Sequence, residues 1–441
     1  MTLSVVLGAG FSKAVASSFP TADQLGELVR ARAPQAMTTA PPSFRGGLFE
    51  RWMSRIAEPQ PDLSDAANLQ NARDFRLVTD AIHSLIVELE GEAYGDPIPW
   101  WLLRLIGLLH ATRAAVATFN YDTLLEAAAF RTFDHQAGSV LSHFSLTDGV
   151  PPTPQYGGMY GPSITPTFRL LKLHGSVDTY WVPGDTTGAT ITRVTDAIWH
   201  SDMGMSSPDL NLERAAPGRA PFIVPPASAK SSLFANPITR QLWRSAAQRF
   251  AQSSDIVVIG YSAPLTDIVA SAMLADAQRA SGARIGVVNS DPEPVVRSLC
   301  AAGLSKGAVY VAAESCDAYV DSLEDALASA AMERFLEALT PTTPLAVSGA
   351  PGLVHRVTGL RVEGMQIGLQ VGEWEVPPTT IDPTRWITAR EIAECRDRTG
   401  ARSLVVDRDE ERSALIGHYE WLTSDGPIAV LTPSATRLRS S

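Results

Sequence analysis

Five times along this chain a short apolar run stops at glycine or a polar residue, and helix-like segments follow most of these stops. The runs end at Gly8-Ala9-Gly10-Phe11-Ser12, Thr118-Phe119-Asn120-Tyr121-Asp122, His174-Gly175-Ser176, Gly260-Tyr261-Ser262 and Asn289-Ser290-Asp291. Repeated strand, turn and helix implies a parallel sheet, because the helix carries the chain back to the start of the next strand. In such a sheet the carboxyl ends of the strands share one edge, and open α/β sheets bind their ligands there.

The pattern predicts a strand over 3–7 and helices over 11–18 and 22–33, broken around Phe19-Pro20-Thr21. Residues 34–65 are rich in Pro, Ser and Gly around one helix-like piece, "GLFERWMSRI". Mixed three and four spacing of apolar residues predicts a helix over 68–92, and a second runs from Trp100 to about Arg113. Residues 114–130 read as strand, polar turn and helix, and 131–167 as loops. Residues 168–182 read as one strand closed by His174-Gly175, 183–222 as irregular, and "PFIVPP" as the end of a short strand. A helix from about 237 precedes strand and helix units that run to residue 339. Residues 341–441 differ: "LVHRVTGLRVEGMQIGLQVGEWEVPP" alternates apolar and polar residues, as antiparallel strands with one wet face do. There "TAREIAECRDRTG" looks helical, and "SLVVD" and "GPIAVLTP" follow.

The expected architecture is α/β: a Rossmann-like, mostly parallel sheet with helices on both faces over 1–340. Insertions fall at about 34–113 and 131–235, and a small C-terminal α+β or mostly β domain at 341–441. The expected boundary is Thr340-Pro341-Thr342-Thr343-Pro344, and the role of the C-terminal part, regulatory or assembly, is open.

Bulk properties narrow the function classes. Hydrophobic content of 45% with 19% charged residues suits a soluble globular chain. The formal net charge of −11 argues against direct nucleic acid binding, which needs basic surface. Cys300, Cys316 and Cys395 are too sparse for a metal knuckle or a disulfide framework, so reduced thiols and no metal are expected. The most apolar segment, "WWLLRLIGLLHA", falls short of the ~20 residues that span a bilayer and contains Arg104 and His110. It reads as a buried helix. With no basic and apolar leader at the N-terminus, the expected location is the cytoplasm.

Taken singly, each edge motif has two readings. Gly8-Ala9-Gly10 either makes a tight turn or lets backbone N–H groups approach a pyrophosphate at a helix N-terminus. The third glycine of a dinucleotide fingerprint is missing, for Lys13 stands there. Asn120 and Asp122 either cap the helix that starts near Thr123 or face a ligand. His174 is either a structural histidine or, at the end of a buried strand, a group in the cleft. Asn289 and Asp291 either form a turn before Pro292 or hold an adenosine ribose.

Taken together and in order, GAGFS, TFNYD, HG, GYS and NSD resemble the sirtuin family (silent information regulator proteins), which binds NAD and cleaves its nicotinamide bond. The resemblance spans about residues 3–315. It departs from the deacylating members in three ways. Residues 176–259 contain no cysteine, so no four-cysteine zinc ribbon can form; no Asp-Phe-Arg follows the first motif; and Phe119 stands where a glutamine is usual. The departures are similar to the zinc-free bacterial branch, whose members include NAD-hydrolysing antiphage effectors. The resemblance implies that NAD+ is a substrate and that no further cofactor is required. It implies Asn120, His174 and Asp122 as catalytic residues. Gly8, Ala9, Gly10, Phe11, Ser12, Thr118, Gly260, Ser262, Asn289 and Asp291 are implied as nucleotide-binding residues. A homo-oligomer or a partner protein of a defence system is the expected gate, and no membrane partner is expected. ADP-ribosyl transfer, deacylation and non-catalytic NAD or ADP-ribose sensing are the alternatives.

Overall fold

A computed structural model describes residues 2–129, 143–144, 164–165, 167–193, 199, 218–225, 236–264 and 267–338. It also describes the strand backbone of 346–350, 353–356, 359–363, 366–371, 374–380, 402–404, 428–430 and 439–440. The chain divides into two compact units. The first holds the described residues of Met1–Leu102, Arg113–Phe130 and His143–Tyr319; the second holds those of Leu103–Thr112 and Val320–Ser441.

The chain opens with β1 (Leu3–Leu7), α1 (Ala9–Val15), α2 (Ala22–Arg32), α3 (Leu48–Ala57) and the long α4 (Asp65–Ala93). α5 (Trp100–Thr112) precedes β2 (Ala115–Thr118) and α6, which covers residues 124–129. A short parallel pair, β3 (His143–Phe144) and β4 (Ile164–Thr165), comes next. β5 (Arg169–Lys172), β6 (Gly175–Trp181), β7 (Thr192–Arg193) and β8 (Ala220–Ile223) follow. α7 (Pro237–Phe250), β9 (Asp255–Ile259), α8 (Ile268–Ser281), β10 (Arg284–Val288), α9 (Pro292–Ala301), β11 (Val309–Ala313) and α10 (Cys316–Ala338) complete the alternation.

Six strands form one sheet in the order β11-β10-β9-β1-β2-β5, and every pair in it is parallel. This is the α/β, Rossmann-like arrangement that the strand and helix alternation predicts. The chain builds outward from β1 to β2 and β5, then returns to β1's other side for β9, β10 and β11. The direction of building therefore reverses between β1 and β9, where an open α/β sheet forms its ligand crevice. Val6, Ala117, Leu171, Val258 and Val287 of these strands pack with Leu242, Phe250, Leu274 and Leu299 of α7, α8 and α9 in one core.

Two expectations need correction. Residues 168–182 are two strands, not one. The chain turns at Leu173-His174, and Gly175 has φ +76, a left-handed conformation that glycine adopts without strain. β6 therefore leaves the parallel sheet and joins an antiparallel sheet, β7-β6-β8. A side chain at Gly175 would lie 1.9 Å from the Phe222 carbonyl oxygen, so the turn also needs glycine for space. The second correction concerns α1, which begins at Ala9 and ends at Val15, where 11–18 was expected. The Gly8 carbonyl already accepts the Phe11 N–H at 2.9 Å, so Gly10 lies within the first helical turn.

In the second unit, β12 (Ala346–Ala350) pairs antiparallel with β13 (Leu353–Arg356). β14 (Gly359–Glu363), β15 (Gln366–Val371) and β16 (Trp374–Thr380) form an antiparallel run that β19 (Arg439–Ser440) extends. This matches the period-two alternation. β17 (Arg402–Leu404) and β18 (Ile428–Val430) are parallel; β17 overlaps the start of "SLVVD" and β18 falls within "GPIAVLTP". The boundary expected at 340–344 and the helix expected over 388–400 lie outside the described residues. Among the described residues no helix is long and apolar enough to cross a membrane.

Candidate active site at the carboxyl edge of the sheet

The sheet ladder continues beyond each strand and stitches the five motifs together. Asn289 N–H bonds to Ala313 O (3.2 Å), Gly260 N–H to Val288 O (2.9 Å) and Gly8 N–H to Ile259 O (3.0 Å). Phe119 N–H bonds to Leu7 O (3.0 Å) and Leu173 N–H to Thr118 O (3.0 Å). Backbone hydrogen bonds alone thus align the motifs along one edge.

At the switch point the glycines meet each other. A side chain at Gly8 would come within 2.5 Å of Tyr261 Cα, and one at Gly10 within 2.8 Å of Gly260 Cα. Gly260, at φ +62, would clash with Phe11 N at 2.2 Å. The Gly10 N–H donates to Gly260 O at 2.8 Å. Close approach of two backbones therefore demands these glycines whether or not a phosphate is present. It also turns the amides of Gly8, Gly10 and Phe11 toward protein acceptors. Ala9 and Gly10 are half-buried at the rim, and Phe11 is buried edge-on against Trp101.

Asn120 and Asp122 meet the first motif through Ser12. Asn120 Nδ2 donates to Gly8 O (2.8 Å) and to Ser12 Oγ (2.7 Å). Ser12 Oγ in turn donates to Asp122 Oδ2 (2.5 Å). The other Asp122 oxygen, Oδ1, accepts the Leu124 N–H (3.3 Å), so the carboxylate both caps α6 and holds Ser12. Thr118 Oγ1 accepts the Asn120 N–H at 3.1 Å. All four side chains are buried. One carboxylate at Asp122 thus serves both the cap and the contact with the first motif.

His174 sits on the turn between β5 and β6, and its carbonyl accepts the Val224 N–H (2.8 Å). Its ring lies 4.9 Å from Phe119 and 6.3 Å from Trp243 of α7. Phe119 also packs on Tyr261 (4.8 Å), whose hydroxyl donates to the buried Asp267 (2.9 Å). An aromatic wall thus backs the imidazole, drawn from the second and fourth motifs and from α7.

The remaining predicted residues lie further along the edge. Ser262 is exposed, Asn289 is half-buried and accepts the Asp291 N–H (3.1 Å), and Asp291 is exposed. β10 is three strand spacings from β2, about 14 Å at 4.7–4.9 Å per strand, so one small group cannot touch both ends.

Sequence reading missed a charged layer beneath Asp122. Glu90 of α4 accepts from both the amide and the hydroxyl of Thr123, the latter at 2.9 Å. Tyr94 OH lies 2.6 Å from the same hydroxyl. Lys172 of β5 donates to the Asp122 carbonyl and pairs with Glu126 of α6 at 3.1 Å. Arg193 of β7 pairs with Asp178 of β6 at 2.7 Å. Burial pushes Glu90 up to about 8, helped by the neighbouring Asp122 charge. Burial also raises Glu126, with Lys172 and Arg193 pulling the other way. Asp178 feels the same push from burial but ends below the ordinary carboxylate range, because Arg193 and Lys172 outweigh it. One signal was available: Glu90 falls on the buried stripe of α4 with Val78, Ile82, Ile86 and Leu89. A carboxyl group there needs a partner across the interface.

No protein-family profile matches the chain, and no curated protein matches its sequence. Among solved structures the chain is similar to Sir2 homologues. A Sir2 homologue–NAD complex is 15% identical, with a TM-score of 0.35 and coverage of 74% of this chain and 90% of that one. A mutant Sir2 homologue complexed with ADP-ribose is 14% identical, with a TM-score of 0.35 and coverage of 74% and 92%. A Sir2–p53 peptide–NAD+ complex is 13% identical, with a TM-score of 0.32 and coverage of 75% and 93%. Overlays of this quality leave ligand and chemistry to the residues of this chain.

Proposed function

We propose that this chain binds NAD+ along the carboxyl edge of the six-stranded sheet and hydrolyses its nicotinamide N-glycosidic bond. The products are nicotinamide and ADP-ribose, and the biological role is a gated effector that depletes NAD+ in bacterial antiphage defence. One observation carries the reading: the bonded series Asn120, Ser12, Asp122 lies at the switch point, joined by the ladder to His174 on one side and Asn289 on the other. A site about 14 Å long with different polar groups at its two ends suits an extended dinucleotide better than a compact ligand.

In the proposed reaction nicotinamide departs with the electron pair of its glycosidic bond, already a cationic leaving group that needs no strong acid. The ribose carbon becomes oxocarbenium-like, water oxygen bonds to it, and the water proton passes to a base. His174 is that base, directly or through a ribose hydroxyl, since imidazole titrates near neutral pH. Asn120 orients the ribose and the water through its side-chain oxygen, because its amide hydrogens are held by Gly8 and Ser12. Asp122 orders this network through Ser12 and orients the nicotinamide amide. Ala9, Gly10 and Ser12 border the pyrophosphate with Gly8, Phe11, Thr118 and Gly260 as their frame. Ser262 serves the phosphate or ribose side, and Asn289 and Asp291 the adenosine ribose.

The commitment of both Asn120 amide hydrogens inside the protein favours one second reading, a non-catalytic NAD or ADP-ribose sensor in which Asn120 is a strut. Purified protein incubated with NAD+ separates the possibilities. Free ADP-ribose with nicotinamide marks a hydrolase, label on a macromolecule marks ADP-ribosyl transfer, and bound but unchanged NAD+ marks a sensor. In a hydrolase, Asn120→Ala and His174→Ala each lower kcat by about 10²–10⁴. Wild-type rates in both variants sink the assignment. An unrestrained NADase would kill its host, so a partner, assembly or residues 341–441 are proposed to hold it in check.

A further inference from the structure

The proposed chemistry uses Asp122 and Asn120 but gives no role to α4, an insertion in the sheet's alternation that ends beside them. We propose that Glu90 is a positioning residue: its buried carboxyl group clamps the Thr123 turn to α4 and so sets the Asp122–Ser12 contact. The inference rests on the NAD+ reading for its catalytic consequence, though not for the clamp itself.

The geometry is specific. One oxygen of Glu90 accepts two bonds from a single residue, the Thr123 N–H and the Thr123 hydroxyl. Because the hydroxyl proton goes to Glu90, Tyr94 OH is the donor to Thr123 Oγ1, so Glu90 in the last turn of α4 and Tyr94 at its C-cap grip the same side chain. Thr123 is buried, and its neighbour Asp122 is fixed from the far side by Lys172 on its carbonyl and Ser12 on its carboxylate. α4 is also anchored by His83, whose Nε2 lies 3.0 Å from Val177 O on β6. The clamp therefore links an inserted helix to the one loop that carries both proposed catalytic residues of the second motif.

Glu90 is suited to this role as a neutral acid. The oxygen facing Thr123 only accepts, which leaves the other to carry a proton, and a second negative charge beside Asp122 would be repelled. The charged and titratable groups around it are Tyr94 just past the end of its own helix, Asp122 on the turn and Lys172 on β5, with Glu126 of α6 acting on Tyr94. Burial and Asp122 push Glu90 up to about 8, which favours the neutral clamp over the charged one until the pH rises past that range.

Glu90→Gln preserves the neutral acceptor, and Glu90→Ala removes it. Amide hydrogen exchange of the full chain reads the clamp without any substrate. Expected is faster exchange across 120–124 in E90A, by about tenfold or more, with β9 and β10 unchanged and E90Q within about threefold of wild type. Equal protection of 120–124 in wild type and E90A overturns the clamp. Should E90A not fold, Tyr94→Phe takes its place and is expected to loosen the same segment by a smaller factor; unchanged exchange there overturns the proposal equally. If the wild type turns over NAD+, E90A is expected to lose about tenfold or more in kcat with KM within about threefold. Wild-type activity is expected to fall above pH 8 where E90Q stays level. An alkaline fall shared by E90Q overturns the neutral-acid role. A wild type that releases no nicotinamide overturns the hydrolase reading alone, because the exchange result still decides the clamp.

Discussion

Gly8, Gly10 and Gly260 show why a motif residue needs two questions asked of it. A phosphate loop explains them by ligand approach, whereas the structure explains all three by contact between their own backbones. The two explanations predict different behaviour. Gly8→Ala and Gly10→Ala are expected to destabilise the fold by about 1–3 kcal/mol, the usual cost of overpacking a tight contact, together with any loss of NAD+ turnover. A chemical denaturation midpoint left at the wild-type value, with only affinity lowered, makes the ligand the sole reason for glycine. Asp122 is the complementary case. Its capping bond to Leu124 and its bond to Ser12 use different oxygens, so an ordinary helix cap and a part in the site are compatible in one side chain.

At the scale of elements, the proposed site depends on how α6, α7 and β5 are held. α7 carries Trp243 to His174, and its start is capped by Asn236, whose Oδ1 accepts the Ile238 N–H at 2.9 Å. Asn236→Ala is expected to cost about 1 kcal/mol, within 0.5–2, measurable as a shift in the urea midpoint. Lys172 ties β5 to α6 through Glu126 and supports the Asp122 carbonyl. Lys172→Met leaves Glu126, among the described residues, with Arg193 4.0 Å away, and is expected to cost about 3–5 kcal/mol, the usual penalty for stranding a buried charge. Adding Glu126→Leu is expected to recover most of that loss. A double variant as unstable as the single one shows that packing of the lysine stem, and not its charge, is what matters.

At the scale of the whole molecule, buried charges tie stability to pH with opposite signs. Glu90 is raised from 4.5 to about 8 in the folded chain, so the folded state holds a proton that the unfolded chain releases. Its contribution is complete below the ordinary carboxylate range and is lost as pH rises toward 8. Asp178 is lowered, and its contribution disappears as pH falls through the acid range. Melting temperature is therefore expected to fall between about pH 5 and pH 8 more steeply in wild type than in Glu90→Gln. Parallel curves for the two proteins remove Glu90 from the account. The proposed gate is a property of the whole chain too. Truncation near Thr340 is expected to release NADase activity or change assembly, read by nicotinamide release and by light scattering. If neither changes, residues 341–441 are not the switch.

The amino-acid sequence by itself determined which segments become strands and that the five polar and glycine-rich ends share an edge. Apolar runs of four or five residues that mostly alternate with helices permit little other than a parallel sheet, and that edge follows from chain direction alone. It also announced the antiparallel strands after residue 345, because their period of two is local. It misjudged 168–182, where β-favouring residues continue straight through a turn that only the Phe222 carbonyl against Gly175 reveals. Tertiary structure alone decided that β9 lies beside β1, so that Gly10 meets Gly260, and that Glu90 reaches Thr123 from 33 residues away. Those outcomes depend on which faces bury each other and on where a buried carboxyl group finds donors. Periodicity and propensity, confined to neighbours along the chain, carry no information about either.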